Sequence, residues 1–161
     1  MKEAIVESSA LNTVKLVLAQ DSNVFTGERN FTISNIKAKG SNVAMDKVKT
    51  TITLNENVAP KLDTAKVKND STLVLTFTEA ITGVVDASFE LSIDNKALAT
   101  KATLDADGKT VVITLATAGE SFVAGKTVTV KAATGNAIKD LKGNALIFTP
   151  QNITIPSTIG Q

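Results

Sequence analysis

Threonine, valine and isoleucine supply 22, 16 and 12 of the 161 residues, so 50 positions carry a branched Cβ. Two heavy substituents on Cβ restrict χ1 against the preceding turn of a helix and pack well on a pleated surface, which predicts a chain that is β throughout. Local alternation agrees: in Thr72 to Phe77, residues Leu73, Leu75 and Phe77 point one way and the threonines the other. The same period places Phe89, Leu91 and Ile93 inward in Ser88 to Ile93, Val111, Ile113 and Leu115 inward in Thr110 to Ala116, and Val128 and Val130 inward in Thr127 to Ala132.

Leu146 to Ile155 reads as a further strand, bent where Pro150 withholds its N–H from the ladder. Asn69-Asp70-Ser71, Asp94-Asn95-Lys96, Asp105-Ala106-Asp107-Gly108 and Ala124-Gly125-Lys126 read as turns, because Asn, Asp and Gly tolerate or cap tight dihedrals. Short strands separated by such turns, without a long 3.6-residue period, predict an all-β, antiparallel sandwich of about seven strands. Helix is limited to single turns at Val84 to Ala87 and Ile138 to Leu141.

The chain also resembles itself. Thr13 to Ala19 lies on Thr110 to Ala116, Ser22 to Gly27 on Ser121 to Gly125, Asn30 to Ile33 on Thr127 to Val130, and Ile36 to Asn42 on Ile138 to Asn144. In the last pair Ala38 stands where the later copy has Asp140, and Ser41 precedes Asn42 where Gly143 precedes Asn144. The first copy therefore corresponds to the rear half of the second. Val58-Ala59-Pro60 is the natural boundary, since a proline drives the residue before it toward extended geometry. The expected organisation is a truncated repeat over 1–57, one complete sandwich over 58–156 and a tail over 157–161, with Met1 an engineered start on a piece of a larger protein. A half sandwich cannot cover its own apolar face, here Val14, Leu16, Leu18, Phe31, Ile33, Ile52 and Leu54, so a neighbouring module, a second copy or a missing segment is expected to cover it.

Composition excludes several functions. Without His, Cys, Trp or Tyr, the chain cannot build a Ser-His-Asp triad, a thiol nucleophile, a zinc site of the usual ligands or an indole or phenol platform for sugars and bases. Its 17 basic and 16 acidic residues are spread evenly, seven against six up to residue 56 and ten against ten beyond it, which leaves no basic footprint for nucleic acid. No stretch is long and apolar enough to span a bilayer. The expectation is a chain without catalytic, cofactor-binding or metal-binding residues.

Candidate sites are weighed against plainer roles. Asp105 and Asp107 resemble the opening of a calcium loop, but no distal Glu follows at the required spacing, so a hairpin turn with Gly108 at positive φ is expected. Asp140 to Asn144 could offer oxygens to an ion; the simpler role is Asp140 accepting backbone N–H groups of its own turn. Glu79, Asp86, Glu90 and Asp94 supply carboxylates for a glycosidase pair, yet a small sandwich seldom forms the cleft such a pair needs, and solvated charges are expected. The sequons at Asn30, Asn69 and Asn152 are unsurprising in a chain this rich in Asn and Thr. The six phenylalanines, 25, 31, 77, 89, 122 and 148, are expected in the core.

Ala59-Pro60, Leu73-Val74-Leu75-Thr76-Phe77-Thr78-Glu79-Ala80-Ile81 and Ile138-Lys139-Asp140-Leu141-Lys142-Gly143-Asn144-Ala145-Leu146 resemble the bacterial Ig-like repeats of surface-layer proteins from bacilli. The resemblance covers about 100 residues well and residues 3–56 as a partial copy. It implies an Ig-like sandwich in a secreted, wall-associated parent that self-assembles into a cell-surface lattice. Partners implied are other subunits of that lattice and neighbouring Ig-like modules. It also implies calcium between modules in some relatives, with Asp63 or Glu56 as candidate ligands. The other reading is a spacer, stalk or ligand-binding module of a secreted adhesin or carbohydrate-active enzyme, since similar modules occur there.

Overall fold

A computed structural model describes residues 2–6 and 13–158, and the chain divides into two compact units, Met1–Val58 and Ala59–Gln161. The first contains β1 (Glu3–Val6), β2 (Val14–Val17), β3 (Gly27–Ile33) and β4 (Val48–Leu54). The second contains β5 (Leu62–Asn69), β6 (Thr72–Phe77), β7 (Ile81–Thr82), a 3-10 turn (Asp86–Ser88), β8 (Phe89–Ile93), β9 (Lys96–Leu98), β10 (Thr100–Leu104), β11 (Thr110–Leu115), β12 (Thr127–Ala132), β13 (Lys139–Asp140) and β14 (Gln151–Thr154).

In the second unit the strands form two four-stranded antiparallel sheets, ordered β10-β11-β6-β5 and β14-β12-β8-β9, with β7 and β13 as a separate pair. Period-two alternation turns one face of each sheet inward, where Leu73, Leu75 and Phe77 of β6, Val111 and Ile113 of β11, Phe89 and Leu91 of β8, and Val128 and Val130 of β12 make one buried cluster. Phe77, Phe89 and Phe148 pack with ring centroids 5.5 to 6.4 Å apart. All three inner residues of Thr72–Phe77 fall where alternation placed them, and Ile93 and Leu115 are half-buried at the ends of their strands.

Three expectations need correction. Leu146 to Ile155 is not one bent strand: regular pairing is confined to Gln151–Thr154, and the residues before Pro150 make only isolated bridges, one of them parallel between Lys61 and Ile147. The missing amide of Pro150 prevents a continuous ladder. Ile138 to Leu141 is not helical, because Lys139 and Asp140 pair with Thr82 and Ile81. The 3-10 turn at Asp86–Ser88 starts two residues and ends one residue later than the expected Val84 to Ala87, anchored by the Val85 N–H donating to Ser88 Oγ at 2.8 Å.

The first unit is built differently. Among its described residues no hydrophobic side chain is buried, and Val14, Leu16 and Ile52 are 46%, 44% and 42% exposed. Phe25, expected in the core, is 59% exposed and lies under the Arg29 guanidinium, 4.2 Å from the ring centroid. The buried residue here is Asn23, whose amide N–H donates to Asn57 Oδ1 at 2.8 Å. Its Nδ2 donates to the Asn55 carbonyl, its Oδ1 accepts from Arg29, and Asn57 Nδ2 donates to the Ala19 carbonyl. Polar hydrogen bonds, rather than an apolar interior, hold these loops.

Matching positions of the two units carry matching hydrogen bonds. Ala4 pairs Leu16 as Ala102 pairs Ile113. Asn30 pairs Thr51 as Thr127 pairs Thr154. The Met45 N–H donates to the Ile36 carbonyl as Leu146 does to Ile138, and the Lys37–Ala44 bridge repeats as Lys139–Ala145. The turn between them departs where the sequence does. Its left-handed glycine is Gly40 in the first unit and Gly143 in the second, one place later relative to the bridge, and with Ala38 in place of Asp140 it is the Ser41 hydroxyl that accepts an amide, from Val43.

Gly83 has φ of +82° at the end of β7, and a Cβ there would lie 2.4 Å from the Ala137 carbonyl oxygen, whereas Gly143 has φ of +96° with open space around it. Gly143→Ala is expected to cost about 1 kcal/mol for the left-handed backbone alone. Gly83→Ala adds a clash with rigid backbone and is expected to cost roughly 3 kcal/mol, measured by denaturant unfolding of the two variants side by side.

Candidate functional site

The second unit carries an open depression of about 780 Å³ against β8 and β9, lined in part by Asp86, Glu90, Ser92, Asn95, Lys131 and Thr134. Asp86 begins the 3-10 turn, and Glu90 projects outward from β8, one residue after the buried Phe89. Lys131, paired with Glu90 across the β8–β12 ladder, brings its ammonium within 2.9 Å of that carboxylate. Asp94 occupies the β8–β9 turn, at φ +51°, and binds Lys126 at 2.9 Å. Glu79 lies in the bend after β6 and, like Asp94, does not line the depression.

The structure thus brings two of the four candidate carboxylates to one surface, and one of those is held by a lysine. A glycosidase needs one carboxyl kept protonated by a low-dielectric pocket and a second aimed at the same bond. Glu90 instead sits in an exposed ion pair on an open strand face, which suits cross-strand pairing worth well under 1 kcal/mol.

Asp107 and Asp140 spend their oxygens on their own turns. Asp107 Oδ1 accepts the amides of Lys109 and Thr110, both at 2.8 Å, and Oδ2 accepts the Thr110 hydroxyl at 2.6 Å. The Thr110 hydroxyl, then these amides, hold its carboxyl below the usual carboxylate range. Asp105 accepts the neighbouring Ala106 amide. Gly108 follows at φ +69°.

Asp140 is only 2% exposed. Its Oδ1 accepts the amides of Lys142 at 2.8 Å and Asn144 at 2.7 Å, and Oδ2 accepts Asn144 Nδ2 at 2.8 Å. Burial pushes this carboxyl up, and the donors from Asn144, Lys142 and Gly143 more than offset it, so it lies below its ordinary value. The turn closes with the Asp140 amide donating to the Asn144 carbonyl at 3.0 Å. A loop that would bind a hard cation leaves carboxylate oxygens converging on a space; here they converge on N–H groups.

Among the described residues no group of three or more acidic side chains is placed to hold a metal ion. Asp63 is exposed on β5, and the Glu56 carboxylate accepts the Val58 amide in the first unit. The sequon asparagines are also engaged: Asn30 and Asn152 accept cross-strand threonine hydroxyls, and Asn69 accepts the Ser71 amide. Sequence reasoning missed the Asn23–Asn57 clasp, whose residues lie in the loops after β2 and β4 and carry no local signal of each other. It also missed Glu120, which reaches Lys96 at 3.5 Å.

With the geometry in place, the comparisons with known proteins give the class. The bacterial Ig-like domain family matches residues 30–154, and the chain belongs to that family. None of the curated proteins compared with it matches. Among solved structures it is similar to three of the bacterial S-layer protein SbsC: its N-terminal part, its residues 31–844 and its domains 1–6, each at 20% identity and a TM-score of 0.53 over 62% of this chain. That likeness establishes the fold. This chain spans 24% of the first of those chains and 14% of the other two. No helix of the described residues is long and apolar enough to cross a membrane.

Removing the Asp140 carboxylate takes the buried acceptor away from three donors of the turn that folds over it. Asp140→Ala is expected to destabilise the second unit by about 2 to 3 kcal/mol. Because the folded carboxyl titrates below the unfolded one, its stabilisation is complete above the ordinary value of 3.8 and is lost as pH falls through the lower folded value. Denaturant midpoints taken from pH 7 down to pH 2 should therefore fall less steeply in the variant than in the parent; parallel curves would refute this role for Asp140.

Proposed function

We propose that this chain is a structural, non-enzymatic part of a bacterial surface-layer protein, and that it works at the cell surface through contacts between modules and between subunits of a self-assembling lattice. The single observation that carries the reading is the match to the bacterial Ig-like family over residues 30–154, on a fold shared with parts of the S-layer protein SbsC. The chemistry of the surface supports it. Of the carboxylates that could have done acid–base work, Glu90 and Asp94 are bound to lysines, and the depression beside β8 is open strand face. Near-neutral charge, 17 basic against 16 acidic residues, keeps repulsion between identical subunits low.

In this reading the two units are parts of successive modules, the first 57 residues forming the rear half of one and residues 58–156 a complete one. Such a module acts as a rigid brick, and its stiffness comes from the buried sheet-to-sheet contact rather than from any bound group.

The test is assembly of the full-length protein that carries this chain, followed by negative-stain electron microscopy over a range of protein and calcium concentrations. Regular two-dimensional sheets are expected. A full-length protein that stays monodisperse under every condition, or a turnover that Glu90→Gln abolishes without unfolding, would overturn the proposal.

A further inference from the structure

Of the nine glycines in the chain, Gly108 alone follows an aspartate or an asparagine. Such a pair is chemically labile in water, because a glycine amide has no Cβ beside it to keep it from the carboxyl carbon of the preceding side chain. The reaction needs no reagent but water. The Gly108 nitrogen bonds to Asp107 Cγ, the Cγ–OH bond breaks, and the hydroxyl leaves as water with the amide proton. Water then reopens the imide. Cleavage at Cγ restores aspartate, whereas cleavage at the α-carbonyl leaves isoaspartate, with one extra carbon in the main chain.

Ring closure makes two demands, and the structure opposes both. The carboxyl must be protonated, since its oxygen departs as water, and the Gly108 amide must be free to lose its proton. Asp107 is exposed, so burial does nothing to keep it neutral. Its Oδ1 accepts the Lys109 and Thr110 amides at 2.8 Å and its Oδ2 accepts the Thr110 hydroxyl at 2.6 Å, and all three bonds favour the charged form. The Gly108 N–H is already spent on the Asp105 carbonyl at 3.0 Å.

The same turn holds buried parts of the unit. The Phe77 N–H donates to the Lys109 carbonyl at 2.9 Å, and the Ile81 N–H to the Gly108 carbonyl at 2.8 Å. Phe77 and Ile81 are each 2% exposed and belong to the buried cluster. An extra carbon between Asp107 and Gly108 displaces both acceptors, so a change in an exposed turn reaches the core.

We propose that Asp107–Gly108 is a site of spontaneous isoaspartate formation and that the Thr110 hydroxyl is the group that keeps it closed. Thr110 is a positioning residue that acts through Asp107. It opens β11 and pairs Thr76, so strand register fixes where the hydroxyl stands. It is the one side-chain donor among the three, and it is the first cause of the lowered Asp107 carboxyl. The inference does not depend on the surface-layer reading.

The test incubates the full chain and its Thr110→Val, Thr110→Ala and Thr110→Ser variants in neutral buffer. Isoaspartate is counted by isoaspartyl methyltransferase labelling and placed by mass spectrometry of peptides, while circular dichroism follows the fold. Thr110 lies outside the buried cluster, so the variants should stay folded. Valine and alanine are expected to speed isomerisation at Asp107 about tenfold, because one charge-assisted hydrogen bond to the carboxylate is lost. Serine, which restores the hydroxyl, should keep the parent rate, and the parent unfolded in urea should react faster than when folded. Folded valine and alanine variants that react at the parent rate, or a serine variant as fast as the valine one, would overturn the role of Thr110. A parent equally fast folded and unfolded, or isoaspartate appearing first at another aspartate, would overturn the site.

Discussion

The second unit depends on one contact, the interlock of two inward-facing sheet surfaces. Leu73, Leu75, Val111 and Ile113 come from one sheet, and Leu91, Val128 and Val130 from the other, all nearly or fully withdrawn from water. At about 1.5 to 3 kcal/mol for each large side chain fully buried, these few residues are the main favourable term a chain of this composition can collect. With no cysteine and no tryptophan, it has neither a disulfide nor a large indole to share that burden. The Asp140 and Asp107 turns and the close approach at Gly83 act afterwards, fixing how the strands enter and leave the two layers.

The first unit is informative because its strand pairings parallel some of those in the second unit while none of its described apolar side chains is buried. Several of its strand pairings parallel those of the second unit, so ladders form there without a buried apolar layer. Among its described residues the apolar side chains are exposed or half-buried, and what is buried is an asparagine bound to other asparagines and an arginine. Pairing strands and covering their faces are separate physical events, and only the second removes apolar surface from water.

Legibility in the sequence divides along the same line. The inward set of β6, β8, β11 and β12 could be read from alternation, because period two leaves no choice once one face is apolar. The resemblance to Ig-like repeats rested on the β6 strand and the Asp140–Asn144 turn, which are the segments where the buried core and a buried carboxylate fix residue identity most tightly. What could not be read depended on partners distant in sequence. The extended backbone at Lys139 and Asp140 comes from pairing with Thr82 and Ile81, and nothing local opposed a helical turn there. Pro150 was rightly taken as an interruption, but the parallel bridge of Ile147 to Lys61 has no local signature. Phe25 was placed inside on hydrophobicity alone, whereas its surroundings offered a guanidinium and no apolar layer. For Glu90, pairing with a lysine followed from strand register, which sets it opposite Lys131.

The central claim is that sheet-to-sheet burial, present in the second unit and lacking among the described residues of the first, is what makes one of them a rigid body. Native-state amide hydrogen exchange over the whole chain measures this directly. The amides of β6, β11, β8 and β12 should exchange only through global unfolding of their unit, slower than those of β2, β3 and β4 by a factor on the order of 1000. Equal protection in the two units, lost together in a single unfolding transition, would contradict the account.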